Sequence, residues 1–413
     1  MAFAEKRGRT WRGRYLRPDG TYGSLPGFDT KNAALEAAND EESAVRKRTW
    51  TDPKRSQITL DDYWTEWIDA QDVSKSTGAR YSSYYRNHLS PWKGAEEIGA
   101  ITALQVDALK RKMRVAGRAT ATIDGVILLL GRMLSDAVYD NRLPSTPVRP
   151  KGRRGQREGD NAAKRKGIAI SLSALLAICG RLPRPEALLA LATAFTGMRW
   201  GEAAGMRRSF LFLYPADGEM PAYGWYVVDK KIGALHEGDK PEGPQDDDDD
   251  DSGTLWFGPP KDREERIIDL PIFLVELLLA YMATLPAAQD LLFPTTSGEG
   301  YRRSNFARAL WRPACDGWPA RSPRRGHPGL AEAPPIVATL RFHDLRHTHE
   351  TWMSEDHIPR VARDARLGHV TPGIEGTYNH VTPEMKIQVM EALEKRWAAV
   401  SAWPHAWMGA PPS

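Results

Sequence analysis

His343-Asp344-Leu345-Arg346-His347 and, twenty residues further on, Leu367-Gly368-His369 carry three histidines and an arginine at fixed offsets. Upstream stand Thr196-Gly197-Met198-Arg199-Trp200-Gly201-Glu202 and Pro260-Lys261-Asp262-Arg263-Glu264-Glu265-Arg266-Ile267-Ile268-Asp269-Leu270, and Tyr378 follows His369 by nine positions. Taken singly, each piece has a plain explanation. A Gly-x-Arg turn is common, an isolated lysine between strands is a solvated charge, and a tyrosine near a domain's end is packing. His343, His347 and His349 are metal-ligand types, but they lack the His-Glu-x-x-His spacing and a carboxylate scheme, so no metal is expected there. What sets the pieces apart is their joint order and spacing over about 180 residues.

In that order and spacing they resemble the active site of the tyrosine recombinase (phage integrase) family, over roughly residues 167 to 400. The chemistry that the resemblance implies is cleavage of a DNA phosphodiester without a metal, a cofactor or ATP. A phosphoryl transition state spreads negative charge over its non-bridging oxygens, which two arginines can bind with paired, charge-assisted hydrogen bonds. Arg199 and Arg346 fill those posts. His343 and His369 would hydrogen-bond the same phosphate, and His343 would assist proton transfer from the nucleophile. Tyr378, the only tyrosine after Tyr301, would be that nucleophile. With a free pKa near 10, only about one phenol in a thousand is ionised at pH 7, so a cationic pocket must favour the phenolate during attack. Lys261, on a mobile hairpin, would protonate the departing 5′ oxygen. Asp262 stands where the family often has a small hydroxyl residue, and six charged residues in a row blur the register. Lys230, Lys231 and Lys240 therefore stay open as alternatives. His347 and Glu202 read as supporting residues, Glu202 anchoring the arginine-bearing helix, and Arg266, Ile268 and Leu270 match the strand that follows the lysine.

Working outward from the site, charge is unevenly distributed. The 413 residues carry a formal net charge of +4, too mild to name a partner. Residues 1–170, however, hold 31 Lys/Arg against 21 Asp/Glu, and the remaining 243 hold 26 against 32. Six basic residues cluster between Lys6 and Arg17 and nine between Arg142 and Lys166, both suited to phosphates or to a solvated tail. The acidic excess of the second half is largely Asp246 to Asp251, read as an extended, self-repelling loop. Two cysteines, Cys179 and Cys315, exclude a disulfide framework or a Cys-rich zinc module. The Arg-rich start has no apolar leader, and the most apolar stretch, Leu270 to Leu285, is short and carries Pro271 and Glu276. The expectation is a cytoplasmic bacterial protein, acting at the nucleoid, with no membrane segment.

The fold class expected is multidomain and mainly α with small β-sheets. Residues 1–50 read as a β-hairpin and helix: Trp11, Gly13 and Tyr15 alternate with Arg12 and Arg14, Pro18-Asp19-Gly20 turns the chain, and Thr30 caps Lys31 to Ala38. Residues 57–147 read as four helices, opened by a Thr59-x-x-Asp62 cap and separated by Pro91 and Gly117. Residues 148–166 form a basic linker, within a stretch from 141 to 167 that carries Pro144, Pro147 and Pro150 and almost no large apolar side chain, and 401–413 form a tail. Residues 167–400 mix helices with strands at Tyr226–Asp229, Thr254–Phe257 and Glu265–Leu270, while 312–335 reads as a loop. Past Tyr378, Thr382 and Pro383 start a helix whose Met385, Val389, Leu393 and Trp397 stripe packs on its own domain or on a neighbouring protomer.

The resemblance assigns roles to these parts. Residues 1–50 would bind arm-type DNA, 57–147 would be the helical core-binding domain, and 167–400 would be the mixed α+β catalytic domain. Arg12, Arg14, Arg153, Arg154, Lys164 and Lys166 are the expected DNA contacts. The partners implied are double-stranded attachment sites, three further copies of the chain in a tetramer, and a directionality factor. Two other readings remain: a monomeric type IB topoisomerase-like nicking and closing enzyme, and a DNA-binding protein that keeps the fold without catalysis.

Overall fold

A computed structural model of the chain describes residues 1–47, 50, 55–149, 167–238, 254–320, 331–369 and 381–400. Tyr378, Arg153, Arg154, Lys164, Lys166, Lys240 and the run Asp246 to Asp251 lie outside the described residues. The chain divides into two compact units, Met1–Lys164 and Arg165–Ser413. Among the described residues no helix is long and apolar enough to cross a membrane.

The first unit begins with three antiparallel strands, β1 (Phe3–Arg7), β2 (Thr10–Leu16) and β3 (Tyr22–Phe28), followed by α1 (Lys31–Arg46). The expected hairpin is therefore the second half of a three-stranded sheet. Phe3–Arg7 is mostly polar and escapes alternation analysis, yet it pairs along its whole length, from Phe3 opposite Arg14 to Arg7 opposite Thr10. Alternation on β2 does the packing. Gly13 and Tyr15 face α1, where a side chain at 13 would meet the Ala34 carbonyl at 2.4 Å. Arg12 and Arg14 project from the other face. Thr30 caps α1 by accepting from the Ala33 N–H at 3.2 Å, and the helix runs eight residues past Ala38.

Helices α2 (Leu60–Asp69), α3 (Lys75–Tyr84), α4 (Ser90–Lys93), α5 (Ala103–Val115) and α6 (Thr120–Tyr139) share a second core of this unit. Thr59 and Thr102 cap α2 and α5. On α6, Ile123, Val126, Ile127, Leu130, Met133, Leu134 and Ala137 are buried at i, i+3, i+4 spacing. Pro91, expected as a separator, does not end the helix. A π-turn, Tyr85–Leu89, joins α3 to α4, and Pro91 sits in the first turn of α4, where its missing N–H costs no hydrogen bond.

The second unit is built around α8 (Arg184–Thr196), whose residues Glu186 to Thr196 are all buried, beside α7 (Leu172–Cys179) and α9 (Trp200–Ala204). A helix apolar on every side belongs at the centre of a core. Strands β4 (Leu211–Tyr214), β5 (Tyr223–Val228) and β8 (Arg266–Leu270) form one antiparallel sheet, and β6 (Ala234–Glu237) pairs with β7 (Leu255–Gly258) in another. The lysine-bearing turn, residues 259–265, thus links strands of two different sheets and is not the tip of a hairpin. After α10 (Ile272–Met282) come α11 (Arg303–Phe306), a π-turn, and α12 (Arg312–Asp316), so the stretch read as a loop from 312 starts as a helix with Cys315 in the core. Both cysteines are buried free thiols. Helices α13 (Asp344–Glu355), α14 (Arg360–Leu367) and α15 (Pro383–Ala398) complete the unit. The α15 stripe packs on its own unit: Val389 and Leu393 are buried, and Trp397 stacks on Phe273 with centroids 4.1 Å apart.

Candidate active site

The site starts at the end of α8. Gly197 closes that helix with φ 70°, and a Cβ there would lie 2.6 Å from both His349 and Leu367, so glycine is required on two counts. The sharp exit places Arg199 at the cap of α9. Its N–H donates to Glu202 Oε2 at 2.8 Å and its Nη1 to Glu202 Oε1 at 3.0 Å. Nη1 also donates to Asp262 Oδ2 at 2.9 Å, and Nη2 to the Gly368 carbonyl at 3.1 Å. Arg266, at the start of β8, donates to Glu202 and approaches Asp262 Oδ2 at 3.5 Å. Two guanidiniums and two carboxylates therefore interlock. Burial alone would raise the Glu202 and Asp262 pKa values, but the arginines hold both below the usual carboxylate range. Burial also opposes the charge on Arg199, yet its carboxylate partners keep its pKa above the ordinary value.

Arg346, on α13, reaches the same segment from the other side. Its Nη1 donates to the Gly197 carbonyl at 2.7 Å, and its Nη2 to the Leu367 carbonyl at 2.5 Å and to His369 Nε2 at 2.9 Å. Because arginine can only donate, His369 Nε2 accepts and the ring is neutral with its proton on Nδ1. Its pKa is lowered by burial and by Arg346. Burial, then Arg199, pulls Arg346 down to about 10, which leaves it charged at neutral pH. His343 is lowered to about 4 by burial, then by His347, Arg346 and Arg303, and is a neutral imidazole at physiological pH. The His343 and His347 rings meet edge to face at 5.3 Å. His347 also packs on Gly167, where a Cβ would come within 2.4 Å of the ring.

Beneath these groups lies a buried pair that the sequence does not advertise. Arg366 on α14 donates to His349 Nε2 at 3.0 Å, to the Asp269 carbonyl of β8 at 3.0 Å and to the Phe195 carbonyl of α8 at 2.9 Å. His349 Nδ1 in turn donates to the Ala194 carbonyl at 2.9 Å, which fixes its tautomer. One guanidinium thus ties together β8 and α13, which carry Arg266 and Arg346, and α8, whose end leads into Arg199.

Of the residues singled out in the sequence, Arg199, Arg346 and His369 converge within hydrogen-bond reach of the 367–369 segment, and His343 opens the helix that bears Arg346. Lys261 is exposed and makes no hydrogen bond or ion pair among the described residues, although the next residue, Asp262, is locked to Arg199. Lys230 and Lys231 are exposed in the turn after β5. On the N-terminal sheet, Arg12 is paired with Glu5 at 2.6 Å, while Arg14 lies against the Tyr22 ring at 5.9 Å. Sequence reading missed Asp262 as a partner of Arg199, and it missed Arg366 entirely. The signal available for Asp262 was its departure from the expected small hydroxyl residue. Arg366 offered none, since arginines next to a glycine turn are commonplace.

No protein-family model matches the chain. An integrase of Mycobacterium phage L5 is 23% identical to it over 399 residues, covering 92% of this chain and 93% of its own length. An integrase of Mycobacterium phage D29 is 22% identical over 367 residues, covering 85% and 84%. Among solved structures, the Tn1549 transposon integrase in complex with circular intermediate DNA aligns over 81% of this chain and 99% of that one, with a TM-score of 0.55 at 13% identity, a likeness of fold. The chain is thus similar in sequence to phage integrases over most of its length, is like a transposon integrase in fold, and brings Arg199, Arg346 and His369 together at one site.

Proposed function

We propose that the chain is a site-specific DNA recombinase that cuts and rejoins strands through a 3′-phosphotyrosine at Tyr378, integrating or excising a phage or another mobile element. The observation that carries this reading is the convergence of Arg199 and Arg346. They start 147 positions apart in the sequence and donate to adjacent carbonyls, Gly368 and Leu367. Their guanidiniums flank the segment that leads, nine residues after His369, to the nucleophile. Two fixed cations at one point suit a phosphodiester whose charge spreads in the transition state.

In this mechanism Arg199 and Arg346 bind the non-bridging oxygens with the N–H groups not used within the protein. His369 is held by Arg346 and turns toward the phosphate. His343, neutral at physiological pH, accepts the phenol proton as Tyr378 attacks, and the tyrosine oxygen displaces the 5′ oxygen. Lys261 protonates that leaving oxygen, with Lys230, Lys231 and Lys240 as the alternatives. The phosphotyrosine ester retains the bond energy, so a 5′ hydroxyl reverses the step without ATP, cofactor or metal.

The domain roles follow the same reading. The N-terminal sheet presents Arg12 and Arg14 to arm-type DNA, residues 57–147 grip the core site, and residues 167–400 cut it. Arg153, Arg154, Lys164 and Lys166 track phosphates along the linker, and four protomers assemble on two sites with a directionality factor. The test is a nicked suicide substrate from the element's own junction, on which loss of the short fragment traps the covalent state. Wild type should form the adduct and Tyr378→Phe should not. An adduct formed by Tyr378→Phe would overturn the nucleophile assignment, and no adduct from wild type on any junction would favour the binding-only alternative.

A further inference from the structure

The turn that carries Lys261 is exposed at Lys261, Arg263, Glu264 and Glu265. It is closed by the Arg263 N–H on the Pro260 carbonyl at 2.9 Å, and Arg263 itself lies in the left-handed region with φ 58°. One side chain ties this turn to the active site. The Asp262 carboxylate is 8% exposed; its Oδ2 accepts from Arg199 Nη1 and Arg266 Nη1, and it rests so close to Gly368 that a Cβ there would meet Oδ2 at 2.4 Å. The other oxygen, Oδ1, is buried with no hydrogen-bond partner among the described residues. A buried carboxylate oxygen left unpaired marks a group that the local structure does not fully accommodate. Glu202 makes the contrast. It is just as buried, but it bonds the Arg199 backbone and both guanidiniums, as a structural anion should.

We propose that Asp262 is a specificity-determining residue that fills, in the DNA-free protein, the place of the substrate phosphate on Arg199, and that it must be displaced before cleavage. This inference rests on the proposed function of the site. The exchange is of one anion for another, since a phosphodiester also carries one negative charge, so the balance among Arg199, Arg266, Arg346 and Glu202 is conserved. Displacement also returns one Arg199 N–H donor to the phosphate. It frees the turn, so that Lys261, immediately before Asp262, can close on the leaving oxygen only when DNA is in place. A tethered carboxylate competes at a high effective concentration. A loose anion or a briefly touched backbone loses to it, whereas a phosphate held by the whole DNA grip wins. The departure from a small hydroxyl residue at this position then acts as a filter against unproductive phosphates.

The experiment needs no cognate DNA site. Sulfate binding to the full chain is measured by isothermal titration calorimetry for wild type, Asp262→Asn, Asp262→Ser and the double variant Asp262→Ser with Arg199→Gln, with folding checked by circular dichroism. Both single variants should bind sulfate at least tenfold more tightly than wild type, and the double variant should lose that gain. Unchanged or weaker binding in the single variants would overturn the proposal. So would a gain that persists without Arg199, which would place the anion elsewhere. Failure of both single variants to fold would show Asp262 to be a structural anion and would equally overturn it. A failed covalent trap would sink the proposed function and leave this titration readable, so the two failures stay distinct.

Discussion

Replacing Glu202 with Gln keeps the shape of the side chain and removes its charge. Glu202 is 1% exposed and accepts from the Arg199 backbone, from Arg199 Nη1 and from Arg266. Breaking a buried ion pair by neutralising one partner typically costs 3–5 kcal/mol, because the other charge is left uncompensated. Asp262 still touches both arginines, and Gln still offers one oxygen, so the lower end applies, about 3 kcal/mol. For a unit of 249 residues, each kcal/mol moves the midpoint by roughly 2–4 °C, giving a drop of roughly 6 to 12 °C. Thermal unfolding at pH 7, with tryptophan fluorescence as the probe, measures it. Acid supplies a second check. Because the folded pKa of Glu202 is held below its ordinary 4.5, its stabilisation is complete above that value and is lost as pH falls through the folded pKa. The gap between wild type and variant should stay constant from neutral pH down to about pH 5.5 and narrow below 4.5. A loss under about 1 kcal/mol at pH 7, or a gap that widens in acid, would refute the picture of Glu202 as the anion holding Arg199 and Arg266 in place.

Three further outcomes follow from the same structure. Arg366→Met strands the Phe195 and Asp269 carbonyls and His349 Nε2, so urea unfolding should show a loss of about 3 kcal/mol; wild-type stability would mean that these bonds matter little. His343 is neutral above about pH 4, so single-turnover cleavage should show no step near pH 6.5 that disappears in His343→Asn; such a step would contradict its burial. Arg14→Ala should reduce the slope of log affinity against log salt on non-specific duplex DNA by about 0.9, and Arg12→Ala by less because Glu5 already neutralises it; equal or absent effects would count against the sheet as a phosphate-binding face.

The parts of the site legible in the sequence are those whose chemistry demands a residue type at a fixed offset. Arg199 follows a glycine that alone tolerates φ 70° at the end of α8, and His369 follows Gly368, which ends α14 at φ 64°. Helices announced by threonine caps, α1, α2 and α15, were equally readable, because a cap is a local interaction. Long-range pairing was not. Strands β4 and β6 are four residues each, too short to display alternation, and β1 is held by its pairing with β2. The Lys261 turn looked like a hairpin because strands flank it, but β7 and β8 pair with β6 and β5. Arg366 acts through partners 17 to 171 positions away and Asp262 reaches Arg199 across 63, and no sequence pattern encodes such contacts.

The central claim is a covalent bond between DNA and one tyrosine, and peptide mapping of the trapped complex tests it most directly. After nuclease trimming and tryptic digestion, mass spectrometry should find a nucleotide joined through its 3′ phosphate to the peptide of residues 367–386, whose only tyrosine is Tyr378. A nucleotide on any other peptide, or a 5′ linkage, would contradict the account.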